Sequence, residues 1–168
     1  MISQTRTPTS QLDEQKTVYR RYIELLNAQD FTSLAEVVDP EKYREICVGF
    51  TPGWVNLPDA IVSLKKVLLG IPDLQAHIDD MASEDNKVYA RLKVRGTQTG
   101  PLFGMPATNK HYEVQMFDYA LIENGKIVER IQQSDNLGQF TTLFKGRFIA
   151  LAVALLILIM GLVIGLVV

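Results

Sequence analysis

The chain has 168 residues, with 17 Lys and Arg against 19 Asp and Glu, so its formal charge is −2. This near balance, without a basic run interleaved with aromatic residues, argues against nucleic acid as a partner. The single Cys47 excludes an internal disulfide, and two histidines without helical spacing argue against a zinc site. We therefore expect no metal and no cofactor.

The chain up to Gly70 is predicted to be mainly helical. Residues 1–10 form a polar arm, and a domain is expected over residues 11–144. A first helix is predicted over 12–27, because apolar residues recur there at helical spacing. A short helix should follow Asp30 and end near Val38, before Asp39-Pro40. Residues 43–50 could hold a short strand. A third helix is expected from Pro58 to Gly70, with Asn56 as its cap.

The remainder of the domain is predicted to form four strands, over residues 75–82, 87–98, 111–122 and 126–135. The second of these alternates apolar and polar residues cleanly, and Asn124-Gly125 is a strong hairpin signal. Helices followed by strands are typical of an α+β fold, in which helices pack on one face of a curved antiparallel sheet. Such an arrangement encloses a cavity, which is a usual ligand site.

The C-terminal stretch 148–168 has 21 consecutive residues without a charge, Asn, Gln or Pro. As a helix it would span roughly 31 Å, close to the thickness of a bilayer. We expect a single transmembrane helix here rather than a buried core helix, since it has no polar face. The N-terminus has no apolar run, so no signal peptide is expected. Lys145 and Arg147 precede the stretch, which predicts a membrane protein anchored by its C-terminus with a cytoplasmic N-terminal domain.

An ordered set of short motifs resembles the SnoaL-like polyketide cyclases, within the nuclear-transport-factor-two-like superfamily. The similarity extends over about residues 15–144. The motifs are LNAQD at 26–30, IPDL at 71–74, RGTQTG at 95–100, FGMPAT at 103–108 and NGKIVERIQQSDNLG at 124–138. The resemblance implies a conical α+β barrel with a deep pocket for a small hydrophobic molecule. It also implies pairing through the sheet, so a homodimer is an expected partner.

The resemblance implies a catalytic residue as well. In the cyclases an aspartate on the last strand acts as general acid/base in an aldol ring closure, and the matching residue is Asp135, followed by the matching Gly138. Three positions depart from the family pattern: Gln98 replaces a histidine, Ile131 a tryptophan, and Asn109 a glycine. Carboxylate chemistry is retained, but the assisting imidazole is not.

Strand parity gives a separate argument for Asp135. On the last strand, five residues share one face: Ile127, Glu129, Ile131, Gln133 and Asp135. Because Ile127 and Ile131 are bulky and apolar, we expect this face to point inward. Asp135 would then be desolvated at the end of an apolar wall and suited to exchanging protons near neutral pH. The alternative is a partly exposed aspartate that caps the following turn.

Four further residues are candidates for substrate binding. Gln98 shares the apolar face of its strand and could donate to a carbonyl or enolate oxygen, but it cannot shuttle a proton. Gln133 has the parity of Asp135. Asp118 lies on an otherwise apolar face, either as a second acid in the pocket or as a structural hydrogen-bonded aspartate. Trp54 is a core residue or a lid over the pocket.

Three functions fit these features. The first is a membrane-tethered cyclase or isomerase acting on a small lipophilic carbonyl compound, with Asp135 as general acid/base. The second is a non-catalytic module that binds a hydrophobic ligand at the membrane. The third is a dimerising scaffold whose cavity is filled by side chains. The sequence leaves open whether the protein is an enzyme.

Overall fold

The computed structural model of the protein describes residues 8–48, 51–102, 104–135 and 155–156. The elements in chain order are α1 (Pro8–Asn27), a short 3-10 helix (Ser33–Glu36), β1 (Arg44–Cys47), β2 (Val55–Asn56), α2 (Leu57–Gly70), β3 (Gln75–Glu84), β4 (Lys87–Thr97), β5 (His111–Glu123) and β6 (Lys126–Ser134). The fold is α+β, as predicted from helices preceding strands.

Helix α1 begins at Pro8, earlier than the apolar pattern predicted. Proline is favoured at a first helical position, because its missing N–H would have no partner there. Tyr19, Tyr22 and Ile23 are buried and form the inner stripe of the helix. Asn27 joins the end of α1 to β3: its side chain donates to the carbonyl of Ala76 and accepts from the N–H of Ala76, both at 2.8 Å. This pair of bonds fixes the helix against the sheet.

Helix α2 confirms the predicted cap. The Asn56 side chain accepts a hydrogen bond from the N–H of Asp59 at 3.0 Å, and Pro58 lies in the first turn. Leu57 and Ala60 are buried on its inner face. The apolar face of α2 therefore closes one side of the domain interior.

The six strands form one sheet in the order β2-β1-β6-β5-β4-β3. The expectation of an antiparallel sheet is wrong at one pair, because β1 runs parallel to β6, with Ile46 opposite Ile131. The sheet is therefore mixed. This long-range pairing brings residues 43–47, from early in the chain, beside the last strand.

A β-bulge interrupts the pairing of β5 with β6. Ile122 lies opposite Ile127 and Leu121 opposite Glu129, so Val128 is an extra residue on β6. Ile127 and Val128 are both buried, and after them the even-numbered Arg130 is buried. A bulge of this kind reverses the parity of the residues that follow it.

No helix within the residues that the structure describes is long and apolar enough to cross a membrane. The predicted anchor at 148–168 lies outside these residues, apart from Leu155 and Leu156, which are helical and exposed.

Candidate active site

A cavity of about 570 Å³ lies between the sheet and the two helices. Its walls are mostly apolar and include Leu57, Val67, Leu92, Val94 and Met116. The volume falls in the usual range for small-molecule sites, which combine apolar walls with a few placed polar groups. The cavity contradicts the version of the scaffold hypothesis in which side chains fill the interior.

A buried ion pair stands beside this cavity. Arg130 of β6 donates to Asp118 Oδ2 from Nε at 2.8 Å, and Nη2 lies 2.6 Å from the same oxygen. The Tyr19 hydroxyl of α1 donates to that oxygen as well, at 2.6 Å. Asp118 Oδ1 has no hydrogen-bond partner among the described residues, although it is buried. All three bonds to this carboxylate therefore end on one oxygen.

The other side of Arg130 meets residues of β1 and α1. Nη1 donates to Glu45 Oε2 and to the Tyr22 hydroxyl, each at 3.2 Å. The Tyr43 hydroxyl donates to Glu45 Oε2 at 2.6 Å and lies 3.3 Å from the Tyr22 hydroxyl. Tyr22, Tyr43, Glu45 and Arg130 all line the cavity, whereas Tyr19 and Asp118 do not. We call these six residues the Arg130 cluster.

Burial controls protonation in this region. It raises the pKa of Tyr22 to about 12, with Arg130 opposing the shift, and raises the pKa of Tyr43 well above its usual value. Burial also raises the pKa of the Cys47 thiol, which lines the cavity, to about 11. These hydroxyls and the thiol are therefore neutral near pH 7, and Cys47 is a poor nucleophile.

Arg130 remains charged in spite of its burial. Desolvation disfavours its cation, but Asp118, Tyr22 and Glu45 outweigh it, so the pKa of Arg130 is raised well above its usual value. The guanidinium is thus a permanent positive charge, held between two carboxylates at the edge of the cavity.

The structure places Asp135 directly after β6, with its side chain exposed and outside the cavity lining. Gln133 is exposed too. The expectation that their face points inward is wrong, because the Val128 bulge turns Arg130 and Gln132 inward instead. The catalytic role of Asp135 and the binding role of Gln133 stay predictions.

Gln98 is fully buried but supports a loop rather than the cavity wall. Its Nε2 donates to the carbonyl of Gly100 at 3.2 Å, and its Oε1 accepts from the Thr108 hydroxyl at 2.6 Å. These bonds hold together the two ends of the segment that joins β4 to β5. Contact between Gln98 and a ligand stays a prediction.

The two remaining candidates for substrate binding, Asp118 and Trp54, lie outside the cavity lining. Asp118 accepts hydrogen bonds from Arg130 and Tyr19 and does not line the cavity, an arrangement that favours the structural one of its two predicted roles. Trp54 is 47% exposed, and the Arg44 guanidinium stacks 4.7 Å from its ring centroid. Neither lines the cavity, and their roles in substrate binding stay predictions.

Sequence reasoning did not single out several polar residues that line the cavity, among them Tyr22, Tyr43, Glu45, Arg130 and Gln132. The parity expected for the last strand leaves Arg130 and Gln132 on its other face, because that pattern does not reveal the bulge at Val128. Glu45 could have been found only by knowing that β1 pairs with β6.

Within the described ranges, no group of three or more His, Cys, Asp and Glu residues is arranged to hold a metal ion. The polar groups of the Arg130 cluster are hydroxyl donors, a buried cation and carboxylates.

The chain resembles known proteins over this whole domain. The family model for the SnoaL-like polyketide cyclases matches residues 16–143. A curated relative, the aklanonic acid methyl ester cyclase DnrD of Streptomyces peucetius, is 26% identical over 134 residues, which are 79% of this chain and 92% of the relative. The corresponding cyclase DauD of Streptomyces sp. strain C5 is also 26% identical and is covered to 83%.

Solved structures give the same fold. A SnoaL-like protein from Jannaschia superposes with a TM-score of 0.72 at 21% identity, covering 84% of this chain and 97% of that chain. A SnoaL-like polyketide cyclase from Agrobacterium tumefaciens has a TM-score of 0.61 at 22% identity, covering 73% and 92%.

The helices, the mixed sheet and the cavity between them define an α+β domain of the nuclear-transport-factor-two-like class, with an interior suited to a small molecule. Within that class, the chain belongs to the SnoaL-like polyketide cyclase family. Membership confirms the family predicted from the sequence motifs, and this family suggests a cyclase- or isomerase-type function with a small-molecule pocket.

Proposed function

We propose that this protein is a membrane-tethered enzyme that acts on a small, lipophilic, neutral carbonyl compound by cyclase- or isomerase-type proton transfer. The observation that carries the proposal is the cavity of about 570 Å³, which combines apolar walls with the polar face of the Arg130 cluster. An apolar wall favours a lipophilic ligand, and a few directed donors can orient its carbonyl oxygen.

The charge of the cluster supports a neutral ligand. Arg130 already has two carboxylate partners, Asp118 and Glu45, within the described part of the protein. At the Arg130 cluster, an anionic ligand would meet a cation that is already neutralised and a carboxylate beside it. A ketone or an ester would meet no such repulsion.

A turnover assay tests the proposal directly. The probe is aklanonic acid methyl ester, the compound in the name of the two curated relatives. The full-length protein is incubated with it, and ring closure is followed by liquid chromatography with mass spectrometry. Catalysed ring closure, or catalysed deuterium uptake at the carbon next to the carbonyl in D₂O, supports an enzyme. If neither reaction is faster with the protein than without it, the proposal of an enzyme is contradicted.

The resemblance assigns the proton transfer to Asp135, and Asp135→Asn is the variant that tests this assignment. Since Asp135 is exposed, a catalytic role requires a ligand that reaches the end of β6. Turnover that is unchanged in the variant removes Asp135 from the mechanism.

A non-catalytic binding module is the second candidate. It is favoured by Gln98 in place of the family histidine, and by the position of Asp135 outside the cavity lining. It predicts that the protein retains a hydrophobic carbonyl compound when purified from its host, without converting it. Mass spectrometry of the bound compound, combined with the turnover assay, separates the two candidates.

Membrane tethering is part of the proposal and rests on the apolar stretch 148–168. Replacing Leu155 and Leu156 by Asp places two charges near its centre, where each costs about 2.5–3.5 kcal/mol on insertion. We expect the full chain to fractionate with membranes, the double-Asp variant to lose this association, and the matched double-Ala variant to keep it. Equal fractionation of all three would contradict the anchor.

Homodimerisation through the sheet also stays a prediction. Phe117 is 60% exposed and Tyr89 44% exposed, and both lie on the outer face of the sheet opposite the cavity. Phe117→Asp should weaken a dimer that forms on this face, as measured by light scattering of the detergent-solubilised chain. Gln115→Asp, a change on the same strand face, is the control.

A further inference from the structure

Glu45 is the only acidic residue in the described part of the chain that lines the cavity. It lies on β1, and only about a tenth of its surface is exposed. Asp118 and Asp135 do not line the cavity, and Asp135 is exposed. A carboxylate that meets a ligand inside the cavity is therefore Glu45.

The two oxygens of Glu45 differ in their surroundings. Oε2 accepts the Tyr43 hydroxyl at 2.6 Å and Arg130 Nη1 at 3.2 Å. No described residue donates to Oε1. One oxygen thus fixes the orientation of the carboxylate, and the other is available to a ligand. A carboxylate that is already held in one orientation loses little conformational freedom when it takes a proton from a ligand.

The two carboxylates of the cluster differ in how closely they contact Arg130. Arg130 approaches Asp118 at 2.6 and 2.8 Å but Glu45 at 3.2 Å. Asp118 is therefore the closer counter-ion of the guanidinium, and Glu45 combines a longer contact to Arg130 with a place in the cavity lining.

Tyr22 supplies a donor beside this carboxylate. Its hydroxyl accepts from Arg130 at 3.2 Å, and the Tyr43 proton is already directed to Glu45. The Tyr22 proton therefore points either to the Tyr43 oxygen, at a long 3.3 Å, or to a ligand in the cavity. A ligand carbonyl oxygen would be the better acceptor.

We propose that Glu45 is the catalytic acid and base of this protein, and that Tyr22 binds the oxygen on which negative charge develops. This assignment rests on the proposed function. Glu45 removes a proton from the carbon next to a ligand carbonyl, and the C–H electron pair becomes an enolate held by the Tyr22 O–H. The enolate carbon attacks a second carbonyl of the same ligand, forming the C–C bond. The π electrons of that carbonyl pass to its oxygen, which takes the proton back from Glu45.

The experiment compares the full-length wild type with Glu45→Gln, using aklanonic acid methyl ester as the probe. Glutamine keeps the size of the side chain and an oxygen for Tyr43 and Arg130, but it cannot take a proton at neutral pH. We expect kcat to fall by about 10²–10⁴-fold, the range for loss of a general base, with KM little changed. Glu45→Asp keeps the carboxylate and should retain part of the activity.

Two matched variants complete the design. Asp135→Asn tests the other carboxylate, to which the resemblance assigns the proton transfer, and its kcat is measured beside that of Glu45→Gln. Glu113→Gln removes an exposed acid that pairs with Arg95, and it controls for a general effect of charge. Near-ultraviolet circular dichroism checks that each variant keeps its tertiary packing.

Each outcome decides between the two proposals. Loss of kcat in Glu45→Gln alone supports the assignment to Glu45. Full activity of Glu45→Gln, or loss in Asp135→Asn only, overturns it while the proposed function stands. No ring closure and no deuterium uptake by the wild type overturns the proposed function, and the assignment fails with it.

Discussion

Arg130 Nε and Asp118 Oδ2 are 2.8 Å apart, and both side chains are almost completely buried. The pair joins β5 to β6, and the Tyr19 hydroxyl extends it to α1. Removing one member of such a pair leaves an uncompensated charge in the interior. The stability of the domain therefore depends on the polar cluster that forms one face of the cavity.

We predict that Asp118→Ala lowers the free energy of unfolding by about 3–5 kcal/mol, the usual cost of breaking a buried ion pair. Urea denaturation of the full chain measures this. Glu113→Ala is the control, because Glu113 and Arg95 are 2.7 Å apart but about half exposed. It should cost at most about 1 kcal/mol. Equal effects would mean that the Asp118 pair is effectively solvated.

A second prediction concerns alkaline pH. The pKa of Tyr22 is about 12 in the folded protein against 10.0 in the unfolded chain. Between these values the unfolded chain loses the proton while the folded protein keeps it. The free energy of unfolding should therefore fall as pH rises from about 10 to 12, by roughly 3 kcal/mol for this residue.

The variant Tyr22→Phe has no proton to lose, so its stability should fall less steeply over the same range. It should be somewhat less stable than the wild type at pH 7, because Arg130 loses an acceptor. The slope and not the absolute value is the readout. Tyr89→Phe, at an exposed position, serves as the control. Parallel slopes for wild type and Tyr22→Phe would contradict the prediction.

A third prediction concerns the thiol of Cys47. Burial raises its pKa from 9.0 to about 11, and each unit reduces the thiolate fraction tenfold near neutral pH. Alkylation by iodoacetamide at pH 7.5 should be about 100-fold slower in the folded chain than in urea. Mass spectrometry follows the reaction at a single site, since the sequence has one cysteine. Similar rates in both states would mean that the thiol is exposed or activated.

A fourth prediction concerns the contact between the end of α2 and the segment after β4. A Cβ on Gly100 would lie 2.1 Å from the carbonyl oxygen of Leu69, so the backbone must move to accept it. Gly100→Ala should cost about 1–3 kcal/mol, as overpacking usually does. Gly53→Ala is the control, because a Cβ there meets nothing within 4 Å. Urea denaturation of both variants makes the comparison.

The parts of the fold that local patterns determine could be predicted from the sequence. The Asn124-Gly125 turn has φ of 51° and 75°, which its residue types favour, and the alternation in β4 gives its buried face. The parallel pairing of β1 with β6 could not be predicted in this way, because it joins residues about 85 positions apart. The site was missed for the same reason: Glu45 and Arg130 meet only through that pairing.

The extra residue Val128 decides which side chains of β6 after the bulge point into the cavity. Without it, Ile131, Gln133 and Asp135 would point into the interior, and Arg130 and Gln132 would point to solvent. The number of residues in the strand, and not only their identity, thus determines whether an acidic side chain points into the cavity. Two homologues that carry the same aspartate in one alignment column can present it to opposite sides of the sheet. Transfer of a catalytic assignment between them therefore requires that the number of residues between the hairpin and the aspartate be compared first.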